Sequence, residues 1–337
     1  MNATMRASVL RAIGEITVEH RPVPQPGPQE VLVRISAVGV CGSDTHYFEH
    51  GRIGDFVVTG PLVLGHEAAG RITAVGADVD ARRVGQRVAI EPGVPDLTCE
   101  QCRAGRYNLC AAMRFFATPP IDGAFAEYVT IHHAFAHPLP DGVSDEAGAL
   151  LEPLSVGVWA CRRGGIAAGS RVLVTGAGPI GLLATQVARA SGATVTAVDV
   201  NRRRLDMARD CGATRTVNLA ATDTIPGTYD VLLECSGNSD ATTLALHSLR
   251  PAGTAVIVGM GATGMPMPVS LIQERELTIT GTFRYANTWP TALSLVANGQ
   301  VDLDSLVSAR YPLAEVPAAL TAGRRDPAVI KALVLPG

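Results

Sequence analysis

The sequence has no run of eighteen uninterrupted apolar residues, so no segment reads as a membrane-spanning helix. Its opening stretch, MNATMRASVLRAIGEITVEH, lacks the apolar core of an export signal. Charge is sparse and balanced. Lys and Arg number 28 against 31 Asp and Glu, a net charge of -3, and no basic run occurs. That leaves no footprint for nucleic acid or an anionic membrane, and points to a small neutral or weakly charged partner. Low-complexity tracts and solenoid-period repeats are missing as well. The expected location is the cytoplasm, where thiols stay reduced. The seven cysteines then read as metal ligands or buried thiols rather than disulfides.

What is present suits two domains. The chain has 337 residues, 47% of them hydrophobic, which is too long for one ordinary core and ample for two. Up to about residue 150 the texture is β-rich. Val31, Val33 and Ile35 alternate with other residues, as does Arg87–Glu91, and Gly/Pro clusters punctuate the region. From Arg171 onward short apolar strands (RVLVTG, TVTAVD, YDVLLE, TAVIVG) alternate with helical stretches such as Asn201–Cys211 and Asp240–Leu249. Such alternation implies a doubly wound parallel sheet with helices on both faces. After Thr282 the rhythm breaks, with amphipathic pieces at Thr291–Ala297 and Ala314–Arg325 and a last strand at Lys331–Leu335. Because the alternating block is central, the two ends of the chain are expected to fold together.

Gly176-Ala177-Gly178-Pro179-Ile180-Gly181 is a G-x-G-x-x-G in the context the motif requires, after a strand and at the start of a helix. The first glycine permits the tight turn. The second lets the backbone approach a pyrophosphate on the helix N-terminus, and the third allows close helix–strand packing. Asp199 closes the next strand, where a carboxylate accepts the ribose diol and repels a 2′-phosphate, favouring NAD over NADP. Arg202, Arg203 and Arg204 follow, and arginine can hold a 2′-phosphate; alternatively they form the solvated first turn of a helix.

Four further segments carry metal or catalytic chemistry: Cys41-Gly42-Ser43-Asp44-Thr45-His46, Gly65-His66-Glu67, Cys99–Cys110 and Leu151-Glu152-Pro153. Singly, each has a plainer reading. Cys41 suits a buried thiol, His66 a core histidine, and Glu152 a helix-start carboxylate before a first-turn proline. Jointly they carry a resemblance. The runs GVCGSDTHYFEHGRIGDFVV, LGHEAAG, AIEPGVP, GRYNL, ATPP, EPLSVGVWACRRG and GAGPIG, with FRYANTWP later, occur in order. They resemble the sorbitol (polyol) dehydrogenase branch of the zinc-dependent medium-chain alcohol dehydrogenases.

The resemblance implies a β-rich GroES-like catalytic domain at 1–154 and 287–337, with a Rossmann NAD-binding domain at 155–286. It implies a catalytic zinc held by Cys41, His66 and Glu152, the last directly or through water, with Glu67 in or just outside the shell. Three protein ligands and an open position are the catalytic pattern for zinc. Asp44 would orient the metal-bound histidine. Ser43 and His46 would relay the alcohol proton, and Gly176, Gly178, Pro179, Ile180, Gly181, Asp199 and Arg204 would hold the cofactor. Tyr47, Phe115, Thr118, Glu152, Arg284 and Tyr285 would line the substrate site of a homotetrameric polyol dehydrogenase.

Relatives often place a structural zinc on C-x₂-C-x₂-C-x₇-C, and here the positions are Asp96, Cys99, Cys102 and Cys110. A carboxylate can ligate zinc, so a second, structural ion is expected on this lobe, with an empty lobe as the alternative. Cys161, Cys211 and Cys235 are expected to be buried. Other secondary alcohols (threonine, butanediol or a sugar) remain alternative substrates. The non-enzyme alternative is an NAD-binding protein that has lost turnover.

Overall fold

The computed structural model describes residues 3–260 and 264–337. The chain forms two compact units, Met1–Glu152 with Leu303–Gly337, and Pro153–Asp302. The sequence reading returned the chain to its first unit at 287; here the return falls at Leu303, because helix Trp289–Ala297 clusters with the second unit. Among the described residues no helix is long and apolar enough to cross a membrane.

The first unit is β-rich. Its largest sheet runs in the order Ala136–Pro138, Arg87–Ile90, Glu67–Val75, Glu30–Gly39, Lys331–Leu335, Val307–Pro312, with Tyr128–His132 also paired to Glu30–Gly39. Val31, Val33 and Ile35 are buried as their alternation predicted, but Leu32 between them is buried too. Arg34 on the same face as Leu32 stays exposed, so that face is only partly covered and the alternating pattern blurs. Leu10, Ile72, Ile90, Phe125 and Val334 join Val31, Val33 and Ile35 in one core. The last strand, Lys331–Leu335, inserts beside Glu30–Gly39 and ties the end of the chain to this unit.

The second unit holds six parallel strands in the order Arg215–Asn218, Thr194–Asp199, Arg171–Thr175, Tyr229–Glu234, Leu249–Ile257, Thr278–Gly281. This is the doubly wound 3-2-1-4-5-6 order, which reverses between Arg171–Thr175 and Tyr229–Glu234 and opens a ligand crevice at the carboxyl ends of those strands. The four apolar runs of the sequence are the four inner strands, while both edge strands went unrecognised. Arg215–Asn218 and Thr278–Gly281 are short and half exposed, and their polar composition hides them. The helix expected at Asp240–Leu249 ends at Leu246, and Leu249 opens a strand instead. Helix Arg202–Asp210 starts where Asn201 caps it, its side chain accepting N–H bonds from Arg203 and Arg204.

Candidate functional site

Cys41 leaves strand Glu30–Gly39 and serves as N-cap of helix Gly42–His50. Asp44, three residues on, folds back so that Oδ2 accepts the Cys41 N–H at 3.1 Å, while Oδ1 accepts the Gly65 N–H at 2.9 Å. One fully buried carboxylate thus pins both loops that carry candidate ligands. The Gly65 turn needs glycine. Its φ is +87, and a Cβ there would meet the Phe125 ring at 2.8 Å. His66 follows, buried, with its ring 5.7 Å from that of Phe115. Glu67 opens strand Glu67–Val75 directly opposite Gly39.

These turns bring Cys41, His66 and Glu67 together, one ligand atom from each lying within 4.8 Å of the others. Glu152, in the first turn of helix Leu151–Arg163, is buried but lies outside that group of three. The centre favours positive charge. Burial works against an imidazolium at His66, yet Asp44 and Cys41 together hold its pKa well above the ordinary range. Lys331 tells the same story: burial disfavours its ammonium, but Glu67, Cys41 and Glu152 raise its pKa. A thiol, an imidazole and a carboxylate in a buried pocket that prefers cations are a donor set that fits zinc.

The second cluster is Asp96, Cys99, Cys102 and Cys110, whose ligand atoms also lie within 4.8 Å of one another. Backbone N–H groups already point at the sulfurs, Asp96 N to Cys110 Sγ and Cys102 N to Cys99 Sγ, each at 3.5 Å. Asp96 Oδ1 accepts the N–H groups of Thr98 and Cys99, and the Cys99 and Thr98 bonds hold its pKa down at about 2. Three sulfurs and an ionised carboxylate likewise fit zinc.

In the second unit the glycine loop joins strand Arg171–Thr175 to helix Pro179–Ala190. Gly176 has φ +83, and a Cβ there would strike Ser236 at 2.8 Å. At Gly178 a Cβ would meet nothing within 4 Å, so the backbone is open to a ligand. At Gly181 it would lie 1.8 Å from the Gly176 carbonyl oxygen. Pro179 opens helix Pro179–Ala190, with half-buried Ile180 beside it. A cleft of about 480 Å³ opens on Gly176, Gly178, Asp199, Arg204, Ser236 and Asn238. Asp199 accepts N–H bonds from Ala177 (2.7 Å) and Asn201 (2.8 Å). Arg204 Nε is buried and has no hydrogen-bond partner, a donor that a phosphate or ribose would satisfy.

Comparison with known proteins identifies the family. Residues 27–141 match the alcohol dehydrogenase GroES-like domain and 179–298 the zinc-binding dehydrogenase domain. Sorbitol dehydrogenase of Gallus gallus is 43% identical over 96% of this chain and 94% of its own length. That of Mus musculus is 45% identical over 90% and 88%. A solved Sinorhizobium meliloti 1021 protein, assigned as a zinc-binding dehydrogenase and bound to NADP, superposes with TM-score 0.91 at 34% identity, covering 99% of this chain and 100% of that one. The chain belongs to the zinc-dependent medium-chain alcohol dehydrogenases, in their sorbitol dehydrogenase branch.

The family's remaining positions are distributed over both units. In the first, Ser43 is half-buried and His46 exposed on helix Gly42–His50, with buried Tyr47 beside them. Phe115 is buried against His66, and Thr118 is half-buried. In the second, Arg284 and Tyr285 follow strand Thr278–Gly281. The Arg284 guanidinium lies 4.9 Å from the Phe283 ring centre, and Tyr285 packs edge-on to Trp289. The seven cysteines are free thiols. Cys161 and Cys211 are buried as expected, whereas Cys235 is half-buried at the cofactor cleft. Sequence reasoning missed Lys331, which makes a buried ion pair with Glu67. Its one signal was a lysine at the head of the otherwise apolar strand KALVL.

Proposed function

We propose that this dehydrogenase oxidises a secondary hydroxyl of a small polyol to a ketone with NAD, using one catalytic zinc. The first unit is the catalytic one and the second binds the cofactor. The convergence of Cys41, His66 and Glu67 carries the reading, since a catalytic metal needs three protein ligands and an open position. Glu152, close enough for its charge to act on Lys331, suits a role beside the metal through water or substrate. When bound, zinc acts as a Lewis acid that acidifies a hydroxyl at its open position.

The chain's own groups do the rest. Asp44 fixes the His66 ring and the Gly65 turn, so the ligands are held before metal arrives. Ser43 accepts the substrate hydroxyl proton while releasing its own, because neither a protonated serine hydroxyl nor a serine alkoxide persists near neutral pH. His46, whose imidazole is exposed, delivers it to water. Tyr47, Phe115, Thr118, Glu152, Arg284 and Tyr285 are the proposed substrate residues. Hydroxyl, carboxylate and guanidinium groups among them suit a molecule with several hydroxyls. The Gly176–Gly181 turn presents backbone N–H groups to a pyrophosphate. Asp199 accepts the ribose diol and disfavours a 2′-phosphate, which supports NAD even with Arg202–Arg204 alongside. The lobe of Asp96, Cys99, Cys102 and Cys110 is proposed to hold a structural zinc. A homotetramer in the cytoplasm, checked by light-scattering mass and fractionation, completes the proposal.

The test is an NADH and NADPH absorbance assay on sorbitol, xylitol, arabitol, galactitol, butanediol and threonine, run beside a zinc count per chain. Polyol turnover with NAD by the zinc-loaded enzyme is expected. Preference for threonine or butanediol would change the substrate class. Absence of turnover on every alcohol would overturn the catalytic reading.

A further inference from the structure

Three neighbouring strands place an ion pair directly behind the candidate metal ligands. Glu67 on strand Glu67–Val75 pairs with Gly39 of the central strand, and Lys331 opens the strand on the other side. The Glu67 side chain reaches across the middle strand because position 39 has no side chain. A Cβ on Gly39 would stand 1.9 Å from Glu67 Oε2. On the far side Lys331 Nζ donates to Glu67 Oε1 at 2.6 Å and to the Val40 carbonyl oxygen at 2.9 Å. The same Nζ lies 2.5 Å from Oε2, but off hydrogen-bond geometry, and Oε2 accepts no hydrogen bond. Both side chains are almost wholly buried, at 3% and 1% exposure.

Glu67 therefore has two claimants, a metal shared with Cys41 and His66 on one side and a fixed ammonium on the other. A buried carboxylate is not left without a counter-charge, because an unpaired ion in the interior is strongly destabilising. We propose that Lys331, acting through the opening at Gly39, is a positioning residue that competes with the catalytic metal for Glu67, holding the carboxylate in place when the metal is absent and loosening its grip when the metal is present. The anchor to Val40 matters here, since it fixes the ammonium one residue before the Cys41 ligand. This inference rests on the proposal that Cys41, His66 and Glu67 bind the catalytic zinc.

Two substitutions test it, Lys331→Met and Lys331→Gln. Glutamine keeps a donor for Val40 while removing the charge, so it decides the matter if the methionine variant does not fold. Both are expected to surrender the catalytic zinc to a colorimetric chelator about tenfold more slowly than the wild type, the scale of effect typical of groups behind metal ligands. Lys331→Arg, which keeps the charge, should release zinc at the wild-type rate. The zinc-free variants should melt well below zinc-free wild type, and zinc should close that gap; a merely structural lysine would lower both forms equally. Release as fast as wild type, or equal melting losses with and without zinc, would overturn the proposal. Cys41→Ser separates the two readings. If it keeps its full zinc count, the metal assignment itself fails. If it loses one ion while the Lys331 variants behave as wild type, only the competition fails.

Discussion

Asp44 Oδ1 stands 3.6 Å from Nδ1 of His66 while accepting the Gly65 backbone N–H. The buried carboxylate thereby sets both the turn that delivers the histidine and the charge beside its ring. Asp44→Asn retains a side-chain oxygen for Gly65, removes the charge and gives up the acceptor for the Cys41 N–H. Zinc affinity is expected to fall about 10- to 100-fold, the usual cost of losing a carboxylate behind a metal-bound histidine. Chelator competition at fixed pH measures it. Unchanged affinity with an intact fold would remove Asp44 from the metal centre.

Asp199 governs the cofactor end. Its carboxylate already aligns Ala177 in the glycine loop and Asn201 at the following helix. Asp199→Ala is expected to weaken NAD and to shift the NAD-over-NADP ratio of kcat/KM by about tenfold or more toward NADP. That is the scale of losing charge-assisted hydrogen bonds to the ribose. Initial rates with both cofactors check it, and an unchanged ratio would place the ribose selector among Arg202–Arg204 instead.

A third prediction concerns acid stability of the second unit. The Arg171 side chain hydrogen-bonds Asp230, with Arg250 also contributing, and they hold its carboxyl well below the usual carboxylate range. The folded pKa is depressed, so the pair stabilises the fold above the unfolded value of about 3.9, and that stability is lost as pH falls toward the folded value. Both arginines are largely solvent-exposed, at 49% and 44%. Screening limits the effect to about 1 kcal/mol at neutral pH. Urea unfolding of wild type and Asp230→Asn should therefore differ at pH 7 and converge progressively below pH 4. A difference that persists undiminished in acid would exclude the ion pair as its origin.

Much of this was legible in the chain, and the reasons are physical. The glycine loop reads from sequence because steric demands at Gly176 and Gly181 leave no alternative residue. The inner strands read because burial on both faces makes them continuous apolar runs. Edge strands such as Thr278–Gly281 carry no such signature. The Glu67–Lys331 pair was hidden for a different reason. It joins residues far apart in the chain, and only strand pairing through Gly39 reveals that they meet. Glu152 shows the converse. Its chemistry and position suggest a role at the metal, directly or through water, while the tight group of candidate ligand atoms is Cys41, His66 and Glu67.

The cysteine lobe supplies the last prediction. Asp96 is exposed, and its Oδ1 already accepts two backbone N–H bonds, leaving Oδ2 as the oxygen without a backbone donor. A single carboxylate oxygen beside three sulfurs is a harder, weaker ligand for zinc than a fourth thiolate. The wild type is expected to carry two zinc ions per chain, with the lobe ion leaving first under chelation. Cys102→Ser should carry one ion and melt lower, yet keep turnover per remaining zinc, since none of the residues proposed to handle substrate belongs to the lobe. Asp96→Cys should retain its lobe ion longest. Zinc counts along a chelation time course, paired with activity, follow both ions at once. Activity falling in step with the first ion released would show that the lobe ion serves catalysis or that the catalytic ion is the weaker one, and the Cys102→Ser count distinguishes these.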